Sequence, residues 1–161
     1  MKILVVSDTH RRDDNLKQVL SEECPLDMLI HLGDAEGSEQ YIPDWVNPEC
    51  RMEMVLGNND FFSRLDKERE IQIAGHKALI THGHYYGVSM GPEGLADEAK
   101  SRGCDIAMYG HTHRPFLDVI NGVTVLNPGS LSYPRQEGRR PSYMVIWADE
   151  HGKLDYQQKY L

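Results

Sequence analysis

Apolar runs too short for helices alternate with stretches of helical spacing through the first third of the chain. MKILVV, residues 1–6, is rich in β-branched residues and predicts a buried strand that ends at SDTH. Leu16, Val19 and Leu20 fall on one face of a helix expected over Asn15–Glu23, which stops before Pro25. Met28–Leu32 predicts a second strand ending at Gly33 and Asp34. A helical or irregular segment then runs through Tyr41 and Trp45, and a third strand over about Met52–Leu56 ends at GNND. Strands alternating with helices, with polar residues where each strand finishes, is α/β logic.

The second half reads differently. Glu70–Ile73 and Lys77–Thr81 flank Gly75 and predict a hairpin, with THGH closing its second strand. A helix is expected over about Pro92–Arg102, then a strand over Ile106–Tyr109 ending at GHTH, then a hairpin of Phe116–Ile120 and Val123–Leu126 around Asn121 and Gly122. NPGS at 127–130 predicts a turn, Tyr143–Trp147 and Leu154–Tyr160 predict closing strands, and the polar stretch Ser132–Pro141 predicts a mobile loop. No repeat, linker or low-complexity tract interrupts the pattern, so one domain over residues 1–161 is expected.

Composition works mainly by exclusion. A formal charge of -8, from 17 Lys and Arg against 25 Asp and Glu, argues against a broad phosphate-binding surface, so no stable nucleic-acid binding is expected. Something other than net charge must attract an anionic substrate. Cys24, Cys50 and Cys104 are far apart and form no CxxC, which favours a reducing cytoplasm over a disulfide framework or zinc ribbon. No run approaches the roughly 18 apolar residues of a membrane span. Ile3–Val6 is too short for a signal peptide, so a cytoplasmic protein without membrane association is expected.

Candidate chemistry sits at the strand ends. Asp8 and His10, Asp34, Asn58, His82 and His84, and His111 and His113 each follow an apolar run, and α/β sheets bind ligands at the carboxyl ends of their strands. Residues at i and i+2 of an extended segment face one side, so Asp8 with His10, and His111 with His113, are each expected to aim two ligands at one point. Taken singly, each piece has an ordinary reading: Asp8 as a helix cap, His10 or His82 as a buried histidine, Asn58 beside Gly57 as a turn residue. Their joint occurrence in this order points to metal. Mixed Asp, His and Asn donors suit Mn, Fe or Zn better than calcium or a structural zinc. An Asp34 shared by two cations about 3.5 to 4 Å apart is an arrangement used for phosphoryl chemistry.

DTH at 8–10, GD at 33–34, GNND at 57–60, THGH at 81–84 and GHTH at 110–113 follow the usual order of the calcineurin-like metallophosphoesterase motifs, and the resemblance covers nearly the whole chain. Small size, the THGH form and NPGS make the chain similar to the YfcE-like phosphodiesterase branch, which also resembles the metallophosphoesterase-like subunit of retromer. The resemblance implies a two-sheet β-sandwich flanked by helices (αββα) with metals at the strand ends. It implies two divalent ions, manganese first, with nickel, iron or zinc as alternatives. Asp8, His10, Asp34 and His113 would hold the first ion; Asn58, His82 and His111 would join a bridging Asp34 around the second. The implied activity is hydrolysis of small phosphodiesters by a hydroxide that bridges the ions.

Asn59 departs from the family pattern, in which GNHE or GNHD places a histidine that contacts phosphate and helps protonate the leaving group. Asn59 can donate a hydrogen bond to a phosphoryl oxygen but supplies no proton near neutral pH, so activated diesters are expected over monoesters. Asp60 is a candidate to orient a nearby histidine, with a turn cap as the alternative. His84 is a candidate to contact substrate or donate a proton, and Arg12 and Arg135 to reach a phosphate or nucleobase. Tyr85 and Tyr86 are candidates for the mouth of the site or for packing, His31 for the core or for support of a ligand, and His76 and His151 for turns. The rival readings are a protein-binding scaffold of the retromer-subunit type with a vestigial metal site, and a phosphomonoesterase. No ligand position is lost, which weighs against the scaffold. Related small enzymes form dimers or tetramers, and the sequence leaves a homo-oligomer open.

Overall fold

Ile3, Leu4, Val5 and Val6 are all fully buried, so the first strand shows no polar face and must be covered on both sides. The computed structural model describes residues 1–161 and shows what covers it. In chain order the elements of the first half are β1 (Lys2–Val6), α1 (Asp14–Glu23), β2 (Met28–His31), β3 (Arg51–Met54), β4 (Glu68–Ile73) and β5 (His76–Thr81). Those of the second half are α2 (Glu93–Ser101), β6 (Ile106–Met108), β7 (Pro115–Ile120), β8 (Val123–Pro128), β9 (Ser142–Ala148) and β10 (Leu154–Tyr160).

The strands form two five-stranded sheets, ordered β10-β9-β1-β2-β3 and β4-β5-β6-β8-β7. Ile3 and Val5 meet Met28, Ile30, Ile80 and Met108 in the core between the sheets. Leu4 and Val6 point the other way, against Leu16, Val19 and Leu20 of α1. Across the second sheet, Leu79, Ala107 and Val125 face Leu95, Ala96 and Ala99 of α2. The layers are therefore helix, sheet, sheet, helix, the αββα architecture that the resemblance implies. No helix is long and apolar enough to cross a membrane.

Strand direction places the chemistry. β1, β2 and β3 run parallel in the first sheet, as do β5, β6 and β8 in the second. Their carboxyl ends open onto one rim, where the His82 ring after β5 donates through Nδ1 to the Leu32 carbonyl after β2 (2.6 Å). The segment through Tyr41 and Trp45, expected as helical or irregular, forms two short 3-10 helices, Ser38–Gln40 and Ile42–Trp45. Two local expectations are revised. β3 stops at Met54, because Leu56 turns its N–H to the Asp66 carbonyl (2.8 Å). Asn127 and Pro128 of NPGS extend β8 opposite β7, beyond the last β6 pairing at Leu126, and the turn starts at Gly129 with φ +79°.

At the opposite rim, His76 joins three segments. Its Nδ1 lies 2.6 Å from Asp105 Oδ2, before β6, and its Nε2 lies 2.7 Å from the Gly152 carbonyl, between β9 and β10. Both partners are acceptors, so only an imidazolium satisfies both, and the Asp105 hydrogen bond followed by the Gly152 carbonyl raises the His76 pKa above its usual 6.5. A raised folded-state pKa means that the clamp stabilises fully below the unfolded value and fades as pH rises through the folded one. The melting temperatures of wild type and His76→Ala should accordingly differ most near pH 5.5 and converge by pH 9, each pH being an approximate choice around the ordinary histidine value. A gap that ignores pH would show that protonation of His76 does not hold these segments together.

Candidate metal centre

Asp8 is completely buried, and its two oxygens have different surroundings. Oδ2 accepts from the Ser7 hydroxyl (2.6 Å) and from the His111 backbone N–H (3.0 Å). Oδ1 receives no correctly directed hydrogen bond, although His113 Nε2 lies 3.1 Å away, His10 Nε2 3.6 Å and His82 Nε2 3.7 Å. Burial raises the cost of its charge, but contacts with His10 and His113 and the field of His82 hold its pKa well below the usual carboxylate range. Asp8 is thus a carboxylate with one oxygen fixed by the protein and one bare oxygen aimed among imidazoles.

The imidazoles present lone pairs to this oxygen. His113 donates through Nδ1 to the Tyr133 carbonyl (2.7 Å) and His82 through Nδ1 to the Leu32 carbonyl, which leaves Nε2 of each neutral ring as an acceptor facing inward. His113 Nε2 stands 3.2 Å from His10 Nε2. His82 Nε2 stands 3.3 Å from Asp34 Oδ2 and 3.0 Å from Asn58 Oδ1, and His111 Nδ1 lies 3.1 Å from the same Asn58 oxygen. Acceptors at such separations repel unless a proton or a cation lies among them. Burial lowers the His82 pKa, but the contact with Asp34 and the charges of Asp8 and Asp34 outweigh it and bring the pKa to about 9. Asp34 is driven to about 2 by His82 and Asn59 against the opposing effect of burial.

Two donor sets fit a cation, Asp8 with His10 and His113, and Asp8 with Asp34 and His82, and within each set the ligand atoms lie within 4.8 Å of one another. Asp34 Oδ2 lies between them, 3.8 Å from His10 Nε2 as well as 3.3 Å from His82 Nε2. The buried, unpartnered Asp8 oxygen and the nitrogen and oxygen donors around it match borderline divalent cations. All seven sequence-predicted ligands, Asp8, His10, Asp34, Asn58, His82, His111 and His113, therefore meet at one rim.

The backbone that brings them there is not extended, which corrects the i, i+2 expectation. Asp8, His10, Asp34, His111 and His113 all have left-handed φ, between +48° and +68°. Asp8 and His10 still converge, but His113 turns towards them while His111 turns towards Asn58. Two glycines permit the close approach. A Cβ on Gly57 would lie 2.1 Å from Asp34 Oδ1, and one on Gly110 would lie 2.1 Å from the Ser7 hydroxyl.

Supporting residues were only partly visible in the sequence. Asn127 donates to the Gly110 carbonyl (2.9 Å) and to Thr112 Oγ1 (3.0 Å), holding the GHTH loop, and the Ser130 hydroxyl donates to the Asp8 carbonyl (2.8 Å). NPGS is thus a brace for two ligand loops. The Ser132–Pro141 segment, expected as a mobile loop, is tied to the centre, since Arg135 N–H donates to the His113 carbonyl (3.0 Å). His31 is buried beside the centre, accepting from Gly33 N–H at Nδ1 and facing Thr9 Oγ1 with Nε2 (2.9 Å), and burial lowers its pKa to about 4.

The remaining candidates divide. Asn59 faces the centre but grips Asp34, with its backbone N–H on Oδ1 (2.8 Å) and its amide on Oδ2 (2.9 Å). Asp60 does not orient a histidine. Its Oδ2 accepts from the Asp34 and Gly57 N–H groups (2.8 and 2.7 Å) and its Oδ1 from Glu36 N–H (2.7 Å), so it joins the GD and GNND loops. His84 packs near His82 and His111, at ring separations of 5.4 and 6.0 Å, with a buried Nδ1 that has no partner. Burial first, then the neighbouring His82 and His111, lowers its pKa. Arg12 stacks on Tyr133, whose ring edge meets His10, whereas Arg135 lines a separate cleft with Arg114 and Met90. Arg11, overlooked in the sequence, lines the cleft next to His10 and Asn59. Tyr86 bonds to Glu68, while Tyr85 stays exposed against the His84 ring. His151 is exposed in a turn.

The chain matches the calcineurin-like phosphoesterase superfamily domain over residues 1–151 and belongs to that superfamily. It is 30% identical over 147 residues to the probable metallophosphoesterase YsnB of Bacillus subtilis, covering 91% of this chain and 83% of YsnB. It is 26% identical over 170 residues to the phosphodiesterase YfcE of Escherichia coli, covering 91% and 87%. The structure of an archaeal phosphodiesterase superposes with a TM-score of 0.79 at 25% identity over all of both chains. Vps29 of Entamoeba histolytica, complexed with zinc, shares the fold at 22% identity and a TM-score of 0.75 over 99% of each chain. The family and its named relatives support a phosphoesterase function, and the family implies divalent metal ions.

Asp60→Ala would strip three backbone N–H groups of their acceptor. At about 1 to 3 kcal/mol for each buried group left unpaired, the loss should reach about 3 kcal/mol or more. The melting temperature should then fall by roughly 6 °C or more. An unchanged calorimetric transition would show that this carboxylate does not brace the loops.

Proposed function

We propose that the protein is a dinuclear metal-dependent phosphodiesterase acting on small diesters with good leaving groups. The observation that carries this reading is the bare, buried Asp8 oxygen surrounded by inward-facing donors of His10, His82 and His113. Asp8, His10, Asp34 and His113 would hold one ion, and Asn58, His82 and His111 would join Asp34 around the other. Manganese is the first candidate. When bound, the ions supply Lewis acidity towards the phosphoryl oxygens and a nucleophile at neutral pH. The chain itself fixes the ligands: Asp60 and Asn59 set the position of Asp34, and Ser7 with the His111 N–H sets that of Asp8.

The preference for diesters rests on the supply of protons. Asn59 has no titrating group, and one of its amide hydrogens already belongs to Asp34, leaving the other to reach a phosphoryl oxygen. His84, the alternative donor, is held towards its neutral form. Neither is arranged to protonate a poor leaving group, as efficient monoester hydrolysis requires. Of the two named arginines, only Arg12 stands on the His10 side of the centre, so Arg12 is the better candidate for a phosphate contact. The scaffold reading is weaker because every ligand type is present and converges. Vps29 supports a shared fold and no more.

Chelated protein should hydrolyse bis-p-nitrophenyl phosphate only after a single divalent metal is added back. Asp34→Asn and His111→Ala should each lower that activity by about 100-fold or more, the scale of several kcal/mol of metal-derived stabilisation. Activity indifferent to both substitutions would place the chemistry elsewhere. Asn59→His should raise turnover of an alkyl monoester, glycerol 2-phosphate, relative to bis-p-nitrophenyl phosphate, because only the alkoxide needs a proton to leave. If that ratio stays put, the missing histidine does not set substrate choice.

A further inference from the structure

We propose that the cleft beside His10 and Asn59 receives one ester group of the substrate, and that this group carries a flat aromatic ring with hydrogen-bonding edges, the chemistry of a nucleoside. The inference rests on the phosphodiesterase reading and adds the class of substrate. The cleft has a volume of about 500 Å³, within the usual range for small-molecule sites. His10 and Asn59 belong both to its wall and to the candidate metal centre, so a phosphoryl group at the centre directs one of its ester arms into this space.

Phe61 and Phe62 form the apolar part of the wall, and they are 78% and 102% exposed. One exposed apolar side chain is ordinary; two consecutive phenylalanines lining a cleft beside a candidate catalytic centre are not. They contribute nothing to the core, so the fold does not explain their presence. Their free ring faces suit stacking, which tolerates any flat ring. Beyond His10, Asn59 and Asp60, the polar part consists of Arg11 and Gln40 with Glu36, Glu39 and Ser63, so the wall offers both donors and acceptors to a ring with hydrogen-bonding edges. Arg11 forms no ion pair, and its Nε donates to the Glu36 carbonyl (2.8 Å), which leaves the outer guanidinium N–H groups for a ligand oxygen or ring nitrogen. A plain alkyl ester group, with neither charge nor hydroxyls, would use neither the ring faces nor these donors. The other large cleft, by Met90 and Arg135, contains none of the candidate ligands.

The test is the hydrolysis of thymidine 5′-(p-nitrophenyl phosphate) by manganese-loaded protein carrying paired substitutions at 61 and 62. Phe61→Ala with Phe62→Ala should raise KM about tenfold, the scale of one lost stacking partner, with the effect in KM rather than kcat. The paired leucine variant, apolar but not flat, should behave like alanine, and the paired tyrosine variant should stay near wild type. Met90→Ala, at an exposed residue of the other cleft, should leave KM where it was. A separate binding measurement uses thymidine 5′-monophosphate with metal-free protein, read by saturation-transfer NMR. Transfer to the base protons should occur with wild type and vanish with the alanine pair. Turnover in all forms with KM unmoved by the alanine pair, or leucine performing as well as tyrosine, would overturn the assignment. If the Phe pair instead seats a protein partner, KM will likewise not move. Absence of turnover with any metal would mean that the phosphodiesterase reading has failed; the NMR measurement then decides the cleft alone, and transfer unaffected by the alanine pair would sink it.

Discussion

A buried carboxylate with one oxygen saturated and the other bare is an expensive thing to build, and the site end of this molecule is organised around one. Asp8 Oδ2 is held by Ser7 and the His111 backbone, and the Asp8 carbonyl is held by Ser130. Three segments far apart in sequence, after β1, after β6 and after β8, are thereby locked to a single residue, two through its carboxylate and one through its backbone carbonyl. The bare Oδ1 then sits at a fixed point among three imidazole nitrogens. The two sheets share an apolar core, and at this rim polar contacts also join them, through Asp8 to the His111 N–H and through His82 to the Leu32 carbonyl.

The three aspartates of the rim do different work because their partners differ. Asp8 spends one oxygen on the protein and leaves one exposed to the donors. Asp34 meets Asn59 with both oxygens and His82 with one of them, so it couples the loop after β2 to those after β3 and β5. Asp60 spends everything on backbone N–H groups and has nothing left to offer a cation. Partner count thus separates the ligand candidates from the brace. An acidic chain that handles an anionic substrate must concentrate positive charge locally, and only the first two carboxylates are arranged to hold the ions that would provide it.

The succession of strands along the chain was legible in outline because both faces of β1, β2, β5 and β6 are largely buried, which leaves continuous apolar runs that end abruptly in polar motifs, whereas the layering came only from the resemblance and the order of strands within each sheet was not legible. The ligand residues were legible for the same reason, since each stands where such a run stops. What the sequence did not disclose was direction. His111 and His113 looked like a pair aimed at one point, yet left-handed backbone turns them apart. Asp60 read equally as a histidine partner or as a turn cap, and backbone N–H groups fill its acceptors, as a cap requires. NPGS looked like a turn, and its asparagine proved to hold the GHTH loop from the neighbouring strand. Arg11 and Glu36 gave no signal because their part in the cleft depends on loop shape alone.

The left-handed residues of the rim have a consequence for how such a centre can change. Asp, Asn and His are among the few non-glycine types enriched in that conformation, and Asp and His are also the donors a borderline cation accepts. At Asp8, His10, Asp34, His111 and His113, backbone geometry and coordination chemistry therefore select from nearly the same short alphabet. A chain that abandoned catalysis would still be pressed to keep much of this lettering for its loops to close. Intact motifs alone are thus weaker testimony to activity than they look, and the unpartnered oxygen on Asp8, which loop closure does not require, carries more weight.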